Sequence, residues 1–510
     1  MGRAARGSTQ IADPAQTDVH SLEPIFHPRA VAVVGVSSRE DKPGGSGGMG
    51  GFLNSLIEGG YPLDRLYPVN PKAETIRDLT CYASLLDCPD PVDHVISQIP
   101  AEGVPELVDQ AIEKGVRSIH FFTAGFAETG DEELAAVERE FITKGQAAGI
   151  RMIGPNCMGL YVPDEGLAFM GGFPKQSGNV FLLSQSGANA GDIVGGLSAI
   201  GVRFSKAVSY GNGADLRAHH FLDYAAADPQ TEVVTAYIEG VRDGRLFFDA
   251  LKRCAAVKPT ILLKGGITAA GARAANSHTG SLAGSVGVFE ALARQSGAIR
   301  ARTLDELINL VISTTSQIRT VHGTGVALIA GGGGFSVLSS DQIALEGLDV
   351  PPMPASVVEE MREFIPVAGT SVNNPIDANL SRHGDEDTTL KLYTLVAKAP
   401  GIDVVFTTVG GWGGWGANSG DGADDSKEQR DERARKSADE LADLQEATGT
   451  PFAAILRPRG GSSDGMRAFF ERAHDRELAV FPTLQAAAAS VARMQEWQAR
   501  RERLPEIFAG

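Results

Sequence analysis

Short, wholly apolar runs alternate along this chain with longer stretches in which apolar residues recur every three or four positions. The short runs predict strands buried on both faces, and the longer stretches predict the crossover helices that cover them. AVAVVG (30–35) opens a first module, and RLYPVN, HVISQI and SIHFFT continue it as strands, with helical stretches such as AEGVPELVDQAIEKG between them. A second module starts near GPNCMG (154–159) and carries the strands NVFLLSQ, FSKAVSY, EVVTAYIEG and PTILLKGG. A third starts near GTGVALIAGGGG (323–334), with later strands DVVFTTV and PFAAILRP. This rhythm predicts an α/β fold of parallel sheets with right-handed crossovers. The expected divisions are a tail over 1–23 and domains over 24–153, 154–321 and 322–510.

The second and third modules read as distant repeats. GNVFLLSQSGANAGDIVGGLSAIGVRF and TGVALIAGGGGFSVLSSDQIALEGLDV share a strand, a glycine loop, a helix and a glycine before the next strand. Each repeat places a helix N-terminus at the carboxyl edge of its sheet, where α/β proteins bind ligands. The rhythm breaks over residues 410–445, where a glycine- and acid-rich loop gives way near Lys427 to a charged helix. Trp412 and Trp415 in that loop suit either packing on a neighbouring domain or contact with a partner or substrate.

Composition narrows the class. No uninterrupted apolar stretch approaches the roughly 18 residues that a membrane span needs. The N-terminal MGRAARGSTQIADPAQ lacks an apolar h-region, and Arg6 occupies the Ser/Thr position of a myristoylation motif. Four cysteines (Cys81, Cys88, Cys157, Cys254) show no metal-type spacing and no disulfide framework, which points to a reducing cytoplasm. A net charge of −17 opposes nonspecific nucleic-acid binding, yet backbone N–H groups can still hold a small anion. The 61 glycines in 510 residues gather after the expected strands and exceed the usual share of roughly 7%.

Three places carry candidate chemistry. The loop VVGVSSREDKPGGSGGMGG contains G-x-G-x-x-G as Gly45, Gly47 and Gly50. That motif lies about ten residues beyond Gly35, whereas a nicotinamide-dinucleotide fingerprint follows its strand directly. The loop suits a pyrophosphate approached from the backbone, unless its glycines serve only as turns. YPVNPK (67–72) and IPAE (99–102) end the next two strands at the same edge. In GARAANSHTGSLAGSVGVFEALARQSG, His278 stands among small residues before a helix. Ser277, Thr279, Gly280 and Ser281 offer hydroxyls and N–H groups for a phosphoryl group, and a neutral imidazole is a competent nucleophile near neutrality. A nucleophilic imidazole needs a partner on its other nitrogen, and Glu239, after EVVTAYI, is the candidate. Ser186 and Gly187 of SQSGAN begin another helix at the same edge. Cys157 reads as a buried structural thiol, because no base is spaced near it.

The combination resembles the alpha part of ADP-forming acetyl-CoA synthetases, relatives of the succinyl-CoA synthetase alpha subunit. The resemblance rests on VAVVGVS, YPVNPK, PVDHVISQIPAE, AGFAETG, GPNCMGL, LLSQSGA, FSKAVSYGNGAD, YIEGVRDGR, GARAANSHTGSLAGS and NNPID, in that order. It implies a Rossmann-like CoA-binding domain followed by two flavodoxin-like ligase domains. It implies phosphorylation of His278 with support from Glu239, and phosphate held by Ser186, Gly187, Thr279, Gly280 and Ser281. For CoA it implies Gly35, Ser37, Ser38, Lys42, Asn70, Pro71, Lys72, Ile99, Pro100 and Glu128.

In the family, acyl-CoA and phosphate give a bound acyl phosphate whose phosphoryl group passes to the histidine and then to a nucleoside diphosphate. The nucleotide site belongs to an ATP-grasp domain, and no stretch here reads as one. The resemblance therefore implies a separate beta subunit that carries ATP or ADP with Mg2+, an alpha2-beta2 assembly, a cytoplasmic location, and neither NAD nor a metal on this chain. Lys264-Gly265-Gly266-Ile267-Thr268 departs from the K-S-G-R-T pattern, and Gly213 stands where lysine is usual. The acyl group stays open among acetate, branched-chain, aryl and dicarboxylic acids, and the nucleotide between ADP and GDP. The competing readings are a non-catalytic CoA or acyl-CoA sensor, opposed by the complete SHTGSLAG segment, and a nicotinamide-dependent dehydrogenase, which relies on the displaced glycine motif.

Overall fold

A computed structural model describes residues 22–37, 51–273, 286–378, 386–409, 426–456, 465–503 and 505. Ser38, Lys42, the G-x-G-x-x-G glycines, residues 277–281 with His278, and Trp412 and Trp415 lie outside the described residues. The chain divides into two compact units. One comprises Met1–Gly191, Phe204–Lys258 and Lys264–Leu292; the other comprises Asp192–Arg203, Pro259–Leu263 and Ala293–Gly510.

The first unit opens with β1 (Val31–Val34) and β2 (Leu66–Val69), then a small antiparallel ribbon of β3 (Thr75–Ile76) and β4 (Leu79–Thr80). Next come β5 (His94–Ser97), β6 (Ser118–Phe121) and β7 (Arg151–Ile153). β2-β1-β5-β6-β7 form one parallel sheet. Every residue of β1, β5 and β6 is buried, as expected of strands covered on both faces. The covering helix Val104–Lys114 buries Val104, Leu107, Val108 and Ala111, a 3.6-residue stripe, and stops at left-handed Gly115. The helix Glu132–Ala147 starts where the Asp131 carboxylate accepts from Glu133 N and Leu134 N. Such a cap contributes about 1 kcal/mol. Because β1 pairs with β2 on one side and β5 on the other, the direction of winding reverses between β1 and β5. A ligand crevice opens at such a point.

The same unit continues with β8 (Gly159–Tyr161), β9 (Val180–Ser184), β10 (Phe204–Ser209) and β11 (Val233–Ile238). β9 pairs in parallel with both β10 and β11, while β8 lies antiparallel on the outer side of β10. A second reversal therefore falls between β9 and β11. Lys206 interrupts the apolar face of β10 and is only 1% exposed. Asp228 Oδ2 at 2.9 Å and Gln230 Oε1 at 3.3 Å accept from it, so the charge is compensated in place.

β12 (Thr260–Lys264), of which Thr260 to Leu263 belong to the second unit, pairs in parallel with β13 (Ile299–Ala301) through Ile261–Leu263. A separate parallel sheet runs β14 (Val326–Ile329), β15 (Val404–Val409), β16 (Phe452–Leu456) and β17 (Ala479–Phe481), in that order. A parallel bridge from Ile329 to Ile376 places the NNPID segment beside β14, so winding reverses at β14 as well. The helix Lys427–Thr448 begins with a capping box between Ser426 and Gln429 and buries Ala434, Ala438, Leu441 and Leu444. Its outer face is anchored by Arg476, whose guanidinium donates to Asp439, Asp443 and Glu446.

His94 and His120 sit stacked in the core of the first sheet, ring centroids 6.4 Å apart. His120 Nε2 donates to the Cys157 carbonyl at 3.1 Å, and His94 Nδ1 is hydrogen-bonded to Ser118 Oγ at 2.7 Å. Burial, with the second imidazole beside it, lowers the His94 pKa to about 3; burial lowers that of His120 to about 4. Both rings are neutral in the fold, whereas in the unfolded chain they protonate near pH ~6.5. Their contribution is therefore intact above that pH and declines below it, by about 1.4 kcal/mol per pH unit per ring until the folded values are reached. The urea midpoint of the protein should fall more steeply between about pH 7 and about pH 5 than that of His120→Gln, whose amide preserves the donor without titrating. Parallel slopes would show that the pair does not set acid stability.

Candidate functional site

At the first reversal point, Gly35 follows β1 with φ +93°, and a Cβ there would stand 2.8 Å from Ile99 Cγ2. Only glycine fits that conformation and that approach, which leaves backbone open to a ligand at the crevice. Asn70, after β2, ties the neighbouring loops together. Its Nδ2 donates to the Val36 carbonyl at 2.7 Å, and its Oδ1 accepts from Lys72 N at 2.8 Å. Thr123 Oγ1 donates to the Ile99 carbonyl at 2.8 Å and so fixes the loop after β5. Ser37, Pro71, Lys72 and Pro100 are exposed around this frame.

Glu128 is engaged within the chain. Its Oε1 accepts from Gly125 N at 2.5 Å, and its Oε2 accepts from Phe126 N at 3.2 Å and Asn212 Nδ2 at 2.7 Å. The carboxylate thus pins the loop after β6 to the turn after β10.

The second reversal point brings Gln185 and Ser186, after β9, beside Glu239, after β11. Gln185 Oε1 accepts from Glu239 N at 2.7 Å and from Gly240 N at 2.9 Å. Ser186 Oγ accepts from Asn189 N at 3.3 Å and caps the helix Gly187–Ala199. Gly187 is required for space, since a Cβ would lie 2.5 Å from Met158 Cγ. Glu239 is 8% exposed. Its Oε1 accepts from Tyr237 Oη at 3.2 Å and its carbonyl accepts from Lys264 Nζ at 2.6 Å. Its Oε2 is buried and has no hydrogen-bond partner among the described residues. Burial, and then the charge of Glu239, push the Tyr237 phenol up to about 12, so it stays a donor at neutral pH.

A buried carboxylate oxygen without a donor is costly until something supplies one. An imidazole N–H meets that need and is itself oriented by it. A small hollow of about 30 Å³ adjoins the site, lined by Gln185, Tyr210, Asn212, Arg217, Arg242 and Phe247 among others. That is room for about two waters. Asn212 Oδ1, on its wall, is also buried without a partner among the described residues.

Cys157 is 4% exposed, and burial raises its thiol far above the range in which it ionises. It is inert as a nucleophile. Tyr237, Gln185, Lys264 and Asn212 were not singled out by the sequence reading as site residues. Tyr237 was accessible to it, because two positions along a strand share a face. The other three come from other segments and carry no local signal. Among the described residues no group of three or more His, Cys, Asp or Glu could hold a metal, and no helix is long and apolar enough to cross a membrane.

A CoA binding domain profile matches residues 29–163, and a succinyl-CoA ligase like flavodoxin domain profile matches residues 177–313. The chain is 35% identical to the acetate–CoA ligase [ADP-forming] II subunit alpha of Pyrococcus furiosus over 75% of its own length and 81% of that protein. Against the acetate–CoA ligase [ADP-forming] of Methanocaldococcus jannaschii it is 34% identical over 70% of its own length and 49% of that protein. The dinucleotide forming acetyl-coenzyme A synthetase 1 of Ca. Korarchaeum cryptofilum, solved with phosphate and ADP, superimposes with a TM-score of 0.76 and 29% identity over 96% of this chain and 99% of that one. With a Rossmann-like CoA-binding region, flavodoxin-like parallel sheets and these relatives, the chain belongs to the ADP-forming acetate–CoA ligase family of acid–thiol ligases, on the side of its alpha subunits.

Proposed function

We propose that this chain is the CoA-binding, phosphohistidine-bearing subunit of a reversible acyl-CoA synthetase that works with a separate ATP-grasp subunit. The observation that carries the reading is the buried Oε2 of Glu239, to which no described residue donates, at the reversal point of its sheet. CoA lies along the crevice framed by Gly35, Asn70 and Ile99, with Ser37, Pro71, Lys72 and Pro100 at its rim; Ser38, Lys42 and Glu128 are the further residues assigned to CoA from the sequence. Phosphate attacks the thioester carbonyl carbon, the C–S bond breaks, and the CoA sulfur leaves. A nitrogen of His278 then attacks phosphorus, the P–O bond to the acyl group breaks, and the acid departs as its carboxylate. Glu239 accepts a hydrogen bond from the N–H of the other ring nitrogen throughout, and its negative charge offsets the positive ring.

Ser186, Gly187, Thr279, Gly280 and Ser281 hold the phosphoryl group by N–H groups and hydroxyls. The nucleotide and its Mg2+ are handled by the ATP-grasp partner, and the alpha naming of the Pyrococcus furiosus relative supports that division. Acetate is the first acid to test, and cytoplasm is the expected compartment.

Incubation of the purified chain with radioactive phosphate and acetyl-CoA should give an acid-labile, base-stable label. His278→Asn should abolish it, and Glu239→Gln should slow it by about a hundredfold, the lower range for loss of a positioned acid–base group. Label on His278→Asn would place the phosphosite elsewhere. If wild type stays unlabelled even with the ATP-grasp partner and ATP, the chain is a CoA sensor instead.

Calorimetry should show CoA binding and no NADH binding. Gly35→Ala should weaken CoA by about tenfold or more, because forcing a methyl against Ile99 costs roughly 1–3 kcal/mol. Unchanged affinity would move the CoA site away from this crevice.

A further inference from the structure

Glu239 is held at three points besides its buried free oxygen. Gln185 receives its amide, Lys264 donates to its carbonyl, and Tyr237 donates to Oε1. The first two fix the backbone, and among the described residues Tyr237 alone fixes the rotation of the carboxylate. A carboxylate free to rotate presents either oxygen to a ring nitrogen; one held through Oε1 presents only Oε2.

The neighbouring glycine explains how Tyr237 reaches. Gly265 is not among the glycines with positive φ, so its backbone is one that any residue adopts. A Cβ at 265, however, would stand 2.5 Å from Tyr237 Oη, 3.1 Å from Tyr237 Cζ and 3.5 Å from Glu239 Cγ. The absence of a side chain there is the space that the phenol occupies. Lys264 Nζ donates to the Gly265 carbonyl as well as to that of Glu239, so one ammonium clamps both segments around the ring.

We propose that Tyr237 is a positioning residue for the phosphoryl-transfer step, holding Glu239 so that Oε2 alone meets the histidine, and that Gly265 is glycine to admit it. The proposal rests on the reading of Glu239 as the partner of His278. In the step concerned the N–P bond forms as the acyl P–O bond breaks, and the proton on the far ring nitrogen stays hydrogen-bonded to Oε2. Tyr237 exchanges no proton; its hydroxyl sets the acceptor's angle.

The test measures single-turnover phosphohistidine formation from acetyl-CoA and phosphate across pH, for wild type, Tyr237→Phe, Gly265→Ala and the double variant. Tyr237→Phe should lower the rate constant about tenfold, the scale of one hydrogen bond to a charged group. The concentrations of acetyl-CoA and phosphate at half-saturation should not change. Gly265→Ala should reproduce the loss in rate constant, and the double variant should be no worse than the worse single one. CoA affinity, read by calorimetry at the separate crevice, should be unchanged in all and reports intact folding.

A Tyr237→Phe profile that superimposes on wild type, or additive losses in the double variant, overturns the proposal while labelling still requires His278 and Glu239. If label persists on His278→Asn, the underlying reading falls and the proposal falls with it.

Discussion

The parallel ladder between β9 and β11 is the constraint on which the site depends. Its register sets Val180 opposite Val233 and Ser184 opposite Tyr237. The two strands therefore run out together, and the residues just beyond them, Gln185 and Glu239, are brought within hydrogen-bond reach. A slip of one residue would turn Tyr237 and Glu239 toward opposite faces from their present partners. The ladder is secure because its members are almost wholly apolar and buried, so the register is paid for by the core rather than by the site.

The same device recurs in the first sheet. There β1 between β2 and β5 brings Gly35 against Ile99, and the close approach is possible because residue 35 has no side chain. Both crevices are thus made by the order of strands, with loops supplying the chemistry. The chemistry differs because one set of loops leaves bare backbone and the other leaves a buried carboxylate oxygen. Family profiles covering residues 29–163 and 177–313 separate along the same line.

Much of this was legible in the sequence. AVAVVG, NVFLLSQ and EVVTAYIEG announce buried parallel strands by their uninterrupted apolar runs, and Glu239 by its place just after one of them. β7, β8, β13 and β17 were not anticipated, since each is three residues long and too short to show a period. FSKAVSY was anticipated as a strand, but not that its lysine turns inward, because the compensating Asp228 lies on a different segment. Lys264 and Gly265 drew notice only as a departure from a family pattern. Their meaning lies in where Tyr237 puts its hydroxyl, which no linear reading supplies.

The Glu128–Asn212 hydrogen bond closes the loop after β6 and the turn after β10 with a single carboxylate. The edges of two sheets are thereby tied at one point by a hydrogen bond of 2.7 Å to a charged group. The two loops cannot draw apart without breaking it. Where ligands occupy edges tied in that way, part of the entropy of bringing them together is met when the protein folds.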